Sequence, residues 1–282
     1  MAILIDGKQL AQTQCELLRP EITALAGAGQ TPGLAVILAG ENIASEVYVR
    51  NKEKRAASLG INGKVIRLPA TIAEEEIIEI IQSLNHDAGV HGILVQLPLP
   101  GHLNESAILS HICPQKDVDG FHPVNGGALL SGKPAVVPCT PLGIMKMLES
   151  IHAPLAGAHT VVVGRSNIVG KPVSLLLQLE NATVTMCHSY TKDLACYTRQ
   201  ADILVAAAGR PHLIKGDMLK PGAIVIDVGM NTVNGKLTGD VAFDEAAKVA
   251  SYVTPVPGGV GPMTIAMLMY NTVQAAKRAH TA

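Results

Sequence analysis

Short apolar runs alternate with helix-length segments along the chain. The run LAVIL (34–38) precedes a helical segment from about Ile43 to Leu59, stopped by Gly60. KVIRL (64–68) precedes a helix over 71–84, and HGILVQ (91–96) precedes one over 104–112. Strand–helix alternation of this kind predicts a parallel sheet covered by helices on both faces. A Gly- and Pro-rich stretch over 126–141 breaks the rhythm and predicts a domain boundary. A helix near Leu142–Glu149 bridges to the second half, where the pattern restarts. Candidate strands there are Thr160–Val163, 183–187, 202–208, 222–229 and 251–256. Such near-continuous apolar runs fit strands buried on both faces. The last segment, from Pro262 to about Ala279, predicts a helix with proline in its first turn.

Composition narrows the function classes. The 282 residues are 48% hydrophobic and 16% charged, and the length predicts about two domains of ~150 residues. With 22 basic and 23 acidic residues, the chain lacks the broad positive field that nucleic acid or an anionic membrane surface attracts. Aromatic residues make up 2%, too few for base-stacking platforms. Five scattered cysteines with no CxxC pair predict reduced thiols in a cytoplasmic protein. MAILIDGKQL carries Asp6 and Lys8 after four apolar residues, unlike a secretory leader, and no long apolar run predicts a membrane span. Ten histidines with no HExxH pair predict no metal site.

The strand Thr160–Val163 runs into GRSNIVGKP (164–172) and then a helical segment. A glycine turn between strand and helix lets backbone N–H groups face a phosphate at the helix N-terminus. Gly164 and Gly170 are six apart, and Ser166 stands where GxGxxG has its second glycine. A plain tight turn would satisfy the same spacing. The strand 183–187 ends in His188-Ser189-Tyr190-Thr191, without the acid that holds a ribose 2′-hydroxyl in NAD sites. Arg165 lies in the first turn, and Arg with Ser suits a 2′-phosphate, so NADP is predicted over NAD. Glycine turns at 206–211, 227–231 and 254–264 follow later strands and allow close backbone approach to a ligand, or serve merely as loops.

In the first half, Ser45, Tyr48 and Lys52 fall at i, i+3 and i+7, on one helix face. Arg50, Lys54 and Arg55 are expected to lower the pKa of Lys52, as is burial. A lysine so tuned works as general acid or base near neutrality. A solvated basic face with a packed tyrosine has the same pattern. Gln96 ends an otherwise apolar strand, and KDVDGFH (116–122) puts two acids in one turn.

The chain resembles the bifunctional methylenetetrahydrofolate dehydrogenase/cyclohydrolase family. The resemblance rests on YVRNK (48–52), VQLPLP (95–100), KDVDGFHPVN (116–125), PCTPLG (138–143), VVVGRSNIVGKP (161–172), DVG (227–229), GDV (239–241) and TPVPGGVGPMT (254–264), in order along nearly the whole chain. It implies NADP-dependent oxidation of 5,10-methylenetetrahydrofolate to the methenyl cation, and hydrolysis of that cation to 10-formyltetrahydrofolate. It also implies residue roles. Lys52 is the catalytic acid/base, Tyr48 hydrogen-bonds it and stacks near the pterin, Gln96 orients it, and Asp119 accepts from the pterin amino edge. Leu97 and the loop at Gly258, Gly259 and Val260 complete the folate site. Gly164, Arg165, Ser166, Ser189 and the backbone at Met230 hold the cofactor. Family members often carry a basic residue where this chain has Tyr190, which leaves Arg165 as the main cation near the ribose. A ligase activity found in larger relatives is not expected, since no GxxxxGK[ST] loop occurs.

The expected architecture is two α/β domains with a cleft between them, the second a Rossmann-like parallel-sheet nucleotide-binding domain. Residues 1–139 with the C-terminal helix 263–282 form the catalytic, folate-binding domain, and 140–262 the NADP-binding domain. The resemblance further implies a homodimer. Two other readings compete: a different NADP oxidoreductase using a Tyr–Lys pair, and a non-enzymatic nucleotide-binding module. The Tyr–Lys pair precedes the nucleotide turn by over a hundred residues, which speaks against the first. The second leaves Lys52, Gln96 and Asp119 unexplained.

Overall fold

The computed structural model describes residues 1–281. Ala282, the last residue of the predicted C-terminal assignment, lies outside the described residues. In chain order the first elements are β1 (Ile3–Leu4), α1 (Gly7–Gly27), β2 (Gly33–Ala39), α2 (Ile43–Leu59), β3 (Asn62–Leu68), α3 (Glu74–His86), β4 (Gly92–Val95), α4 (Glu105–Ser110), α5 (Pro123–Leu130) and α6 (Cys139–Ser150). They are followed by β5 (His159–Val163), α7 (Gly170–Leu179), β6 (Thr183–Cys187), α8 (Leu194–Thr198), β7 (Ile203–Ala206), β8 (Ile224–Asp227), β9 (Asn231–Val233), β10 (Lys236–Thr238), α9 (Phe243–Val249), β11 (Tyr252–Val253) and α10 (Val260–Thr281). Packing divides the chain into two compact units, one of residues 12–139 and the chain from Ile265 onward, the other of residues 1–11 and 140–264.

The first unit holds a three-stranded parallel sheet in the order β3–β2–β4. All seven residues of the central β2 are buried, as its unbroken apolar run requires. On α3, Ile77, Ile81 and Leu84 are buried at helical spacing and pack with Ile37, Ile93 and Ile108. Three glutamates fill the first turn of α3, where they complement the helix dipole, and Glu76 accepts the Ala73 N–H at 3.2 Å. The C-terminal part of α10 is pinned by Asn271, whose Nδ2 donates to the carbonyls of Val118 and Val137, each at 2.9 Å.

The second unit holds a six-stranded sheet, parallel throughout, in the order β1–β11–β8–β7–β5–β6. Its core includes Val161, Val163, Leu204, Val225, Ala246 and Val253. The strand order reverses at β5, which has β6 on one side and β7 on the other. In open parallel sheets, ligands bind beyond the carboxyl ends of the strands at such a reversal.

The structure departs from the sequence patterning at several elements. Residues 1–11 belong with the six-stranded sheet rather than with residues 12–139, because β1 pairs with β11 (Ile3 with Tyr252, Leu4 with Val253). Two residues carry no periodicity, so only the unpaired backbone of β11 dictates that position. The long helix α1 is unpredicted although Ala11, Cys15, Leu18, Ile22 and Leu25 are buried at helical spacing. Pro20 interrupts its pattern but lies on the exposed face, where water can take the carbonyl freed at Glu16. The hairpin β9–β10 turns at Asn234-Gly235, both at positive φ (50° and 75°), which fits a type I′ turn. Among the described residues, no helix is long and apolar enough to cross a membrane.

Candidate functional site

The first constellation lies in the three-stranded unit. Asn42 caps α2 by accepting the Ser45 N–H at 3.0 Å, and Gly60 ends it at φ 78°. This frame turns Ser45, Val49, Lys52, Ala56 and Leu59 inward. Lys52 is only 6% exposed, and its Nζ donates to Gln96 Oε1 at 2.9 Å. Gln96 follows β4 and continues its pairing, donating its backbone N–H to the Ile37 carbonyl at 2.8 Å. Its Nε2 donates to the Leu97 carbonyl at 2.7 Å, which fixes the amide with Oε1 toward the lysine. Burial lowers the pKa of Lys52, while the charge of Asp119 and the neighbouring Cys139 oppose the shift. The expected contribution of Arg50, Lys54 and Arg55 is corrected: these side chains point away from the buried face. Arg50 lies 3.9 Å from Glu46, and Arg55 donates to Gln12 at 2.9 Å.

The turn after α4 separates its two acids by role. The Asp117 carboxylate, 1% exposed, accepts the N–H groups of Gly120, Phe121 and His122 and the Asn125 Nδ2 at 2.8–3.2 Å. Those donors occupy it internally and hold the turn shut. Asp119 faces Lys52 and the Cys139 thiol. Burial pushes its carboxyl pKa up and Lys52 pulls it back. Burial and the facing Asp119 push the Cys139 thiol well above its ordinary range. Tyr48, half-buried on the same helix, also has its hydroxyl pKa raised by burial. Lys52, Gln96 and Asp119 thus gather around one polar spot in an apolar unit. Cys139, the second residue of PCTP, is the member of the cluster that no residue pattern in the sequence singled out.

The second constellation lies at the carboxyl ends of β5, β6 and β7 in the six-stranded unit. A cavity of about 420 Å³ is lined there by Gly164, Arg165, Ser166 and Ser189, and also by Ala208 and Arg210. Gly164 is at φ 135°, and a Cβ on it would overlap the Ala207 carbonyl oxygen. A Cβ on Gly170 would overlap the Gly164 carbonyl. The two glycines are therefore needed to fold the turn against β7 and to bring the start of α7 beneath it. Ser166 Oγ accepts the N–H groups of Val169 and Gly170 at 3.2 and 3.3 Å, capping α7. The Arg165 guanidinium stands 5.5 Å from the Tyr190 ring centre. Two guanidiniums and three hydroxyls (Ser166, Ser189 and Thr191) line the cavity, with no carboxylate among its lining residues. That donor set fits a phosphorylated anion and would repel nothing on a 2′-phosphate. Arg210 stands in the same lining as Arg165, a second cation beside the one expected.

Two groups of expected residues are not among those lining this cavity. Met230, expected at the cofactor, is 45% exposed beyond β8 and is not among the cavity's lining residues. Gly258, Gly259 and Val260, expected with the folate residues, belong to the six-stranded unit, where Gly259 packs closely on Gly7. His188 lines the cavity and accepts the Tyr190 N–H at 3.2 Å, which organises the turn after β6.

A parallel-sheet unit with a cation-lined cavity at its strand reversal, joined to a unit with a buried, pKa-lowered lysine, defines a dinucleotide-dependent α/β enzyme. The family follows from comparison with known proteins. Residues 5–119 match the tetrahydrofolate dehydrogenase/cyclohydrolase catalytic-domain model, and residues 138–280 match the NAD(P)-binding-domain model of the same family. The chain is 56% identical to the bifunctional protein FolD of Exiguobacterium sibiricum, covering 98% of this chain and 100% of the relative. It superposes with TM-score 0.97 on the bifunctional FolD methylenetetrahydrofolate dehydrogenase/cyclohydrolase of Campylobacter jejuni, at 50% identity over 99% of each chain. A Trypanosoma brucei methylenetetrahydrofolate dehydrogenase-cyclohydrolase, solved with NADP and an inhibitor, superposes at TM-score 0.96 and 43% identity, over 100% of this chain and 99% of the other. The chain belongs to the tetrahydrofolate dehydrogenase/cyclohydrolase family and is a bifunctional enzyme of that class. Membership sets aside the unrelated Tyr–Lys oxidoreductase and the non-enzymatic module.

Proposed function

We propose that the chain oxidises 5,10-methylenetetrahydrofolate to the 5,10-methenyl cation with NADP and hydrolyses the cation to 10-formyltetrahydrofolate, using the Lys52 cluster for proton handling. The observation that carries this assignment is a lysine 6% exposed, 2.9 Å from a fixed amide oxygen and lowered in pKa by burial. Bound NADP supplies a hydride acceptor. Gly164, Arg165, Ser166 and Ser189 hold its phosphates and adenosine ribose, and Met230 adds a backbone contact.

Hydrolysis adds water to the methenyl carbon, opens the ring C–N bond and releases one proton. Lys52, as the neutral amine that burial favours, takes the proton from the attacking water. Gln96 keeps the amine in place by accepting one of its N–H groups, so the nitrogen lone pair and the water share a defined direction. Asp119 accepts hydrogen bonds from the pterin's amino edge, which fixes the ring relative to Lys52. Tyr48 and Leu97 flank the ring. Asp117 holds the turn that presents Asp119. Residues 12–139 with the chain from Ile265 onward form the catalytic part, and residues 1–11 and 140–264 the cofactor part.

The reading extends to a cytoplasmic homodimer that acts on small molecules and binds neither nucleic acid nor membrane. Balanced charge and free cysteines support it. The test follows absorbance after NADP and methylenetetrahydrofolate are mixed with the protein. Formation of NADPH and transient methenyl absorbance is expected, followed by decay to the formyl product. Absence of both signals from folded protein overturns the proposal.

A further inference from the structure

The cofactor cavity has a second wall beyond the turn at Gly164. Ala207, Ala208 and Arg210 of the turn after β7 line it, and three consecutive N–H groups of that turn converge on one buried side chain. Asp240, fully buried, accepts the Ala208 and Gly209 N–H groups on Oδ2 at 2.6 and 2.9 Å. Its Oδ1 accepts the Arg210 N–H and Asn231 Nδ2, both at 2.9 Å. A single carboxylate thus satisfies four donors, all uncharged, and ties the turn after β7 to the start of β9.

Asp240 is itself anchored. Its backbone N–H donates to Asp227 Oδ1 at 2.9 Å, and Asp227 also accepts the Gly229 and Val241 N–H groups at 2.9 and 3.0 Å. The chain is shaped around these carboxylates. A Cβ on Gly229 would overlap Asp240 Oδ1, and one on Gly239 would overlap the Asp227 carboxylate. Three loops at the carboxyl edge of the sheet are therefore clamped by two buried acids. The clamp leaves the Arg210 side chain exposed toward the cavity that Arg165 and Ser189 also line.

We propose that Arg210 is a second specificity-determining cation for the 2′-phosphate of NADP, and that Asp240 is the positioning residue that holds it in the cavity wall. The proposal rests on the assignment of this cavity to NADP. A neutral 2′-hydroxyl gains little from a guanidinium, whereas a dianionic phosphate accepts charge-assisted, bidentate hydrogen bonds from it. Losing one such contact weakens binding about 10–150-fold. Arg210→Gln should therefore weaken NADP far more than NAD, and Arg210→Lys should restore part of the preference. Asp240→Asn turns an amide N–H₂ or a neutral oxygen toward donors that a carboxylate satisfied. The turn then shifts, and the NADP/NAD ratio should fall in the same direction as for Arg210→Gln.

The experiment measures dissociation constants for NADP and NAD by calorimetric titration of the full chain, with thermal melts as a check on folding. The expected result is a loss of at least tenfold for NADP in Arg210→Gln, with NAD changed less than threefold and partial rescue in Arg210→Lys. The Asp240→Asn variant should show the same selectivity loss, and combining it with Arg210→Gln should add less than twofold. An Arg210→Gln protein that binds NADP within twofold of wild type, or loses both dinucleotides equally, overturns the inference. If Asp240→Asn lowers the melting temperature and weakens both dinucleotides alike, Asp240 is merely structural and the positioning claim is refuted. Should Asp240→Asn not fold, the two Arg210 variants still decide. A wild-type chain that fails to prefer NADP would instead refute the cofactor assignment itself.

Discussion

Replacing Gln96 by glutamate puts an anionic oxygen where a neutral one now accepts from Lys52 Nζ at 2.9 Å. Two unit charges at that separation attract by about 6 kcal/mol at an effective dielectric constant of ~20. Taken whole, that is roughly 4 units on the lysine pKa, at about 1.36 kcal/mol per unit. The new carboxylate must itself leave water, which costs several kcal/mol and offsets much of the attraction. A net rise of about 1–3 units is expected. Lysine now has its pKa lowered by burial, so the variant reverses the tuning while keeping size and shape. If the neutral amine takes the proton from water, each unit of rise costs about tenfold in rate at a pH below the new value. The assay is the decay of methenyltetrahydrofolate absorbance across a pH series, without dinucleotide and with the spontaneous rate subtracted. Gln96→Glu should move the rising limb to higher pH by more than one unit. Gln96→Leu, which removes an acceptor from the charged form, should move it lower or leave it in place. A Gln96→Glu profile that superimposes on wild type would refute the role of this pair.

Other outcomes follow from the same geometry. Lys52→Met should lower cyclohydrolase turnover by about 10²–10⁴-fold, with NADP affinity by titration close to wild type. Arg165→Ala should weaken NADP by about 10–150-fold, and equal weakening of NAD would contradict a 2′-phosphate contact. Asp117→Ala orphans the N–H groups of Gly120, Phe121 and His122 and the Asn125 amide. It should destabilise the protein by about 3–5 kcal/mol in denaturant unfolding, and a cost below ~1 kcal/mol would show that the turn holds without it. Asp227 has its pKa raised by burial from 3.8 to about 6 in the folded chain. The folded state holds that proton more tightly than the unfolded state. Its stabilising contribution is therefore full below about pH 4 and lost as pH rises through about 6, roughly 3 kcal/mol in all. Stability measured for wild type minus Asp227→Asn should fall across that window, and a flat or rising difference would count against it.

Much of the architecture was legible along the chain. β2, α2, β5 and β6 lie where apolar runs and Gly60 place them, because these signals act over a few neighbouring residues. Lys52 stands out by its register with Ser45 and Tyr48, and Gln96 by being polar at the end of an apolar strand. The turn at Gly164 is readable because a tight strand-to-helix turn with close backbone contact requires glycine. The motifs at 93–100 and 254–264 also carry the family.

What tertiary structure alone decided is partnership. Nothing local tells Asp117 from Asp119; the first is consumed by four internal donors and the second is left facing a lysine from another element. Burial, more than the neighbouring Arg50, Lys54 and Arg55, lowers the pKa of Lys52, and burial depends on the whole unit. The strand at 3–4 joins a sheet whose partner strand lies some 250 residues later. Arg210 and Asp240 acquire meaning only when the turn after β7 and the GDV segment meet. Hydrophobic period and backbone propensity are short-range properties of a sequence. Desolvation, and the choice of which donor meets which acceptor, arise only once distant segments have excluded water together.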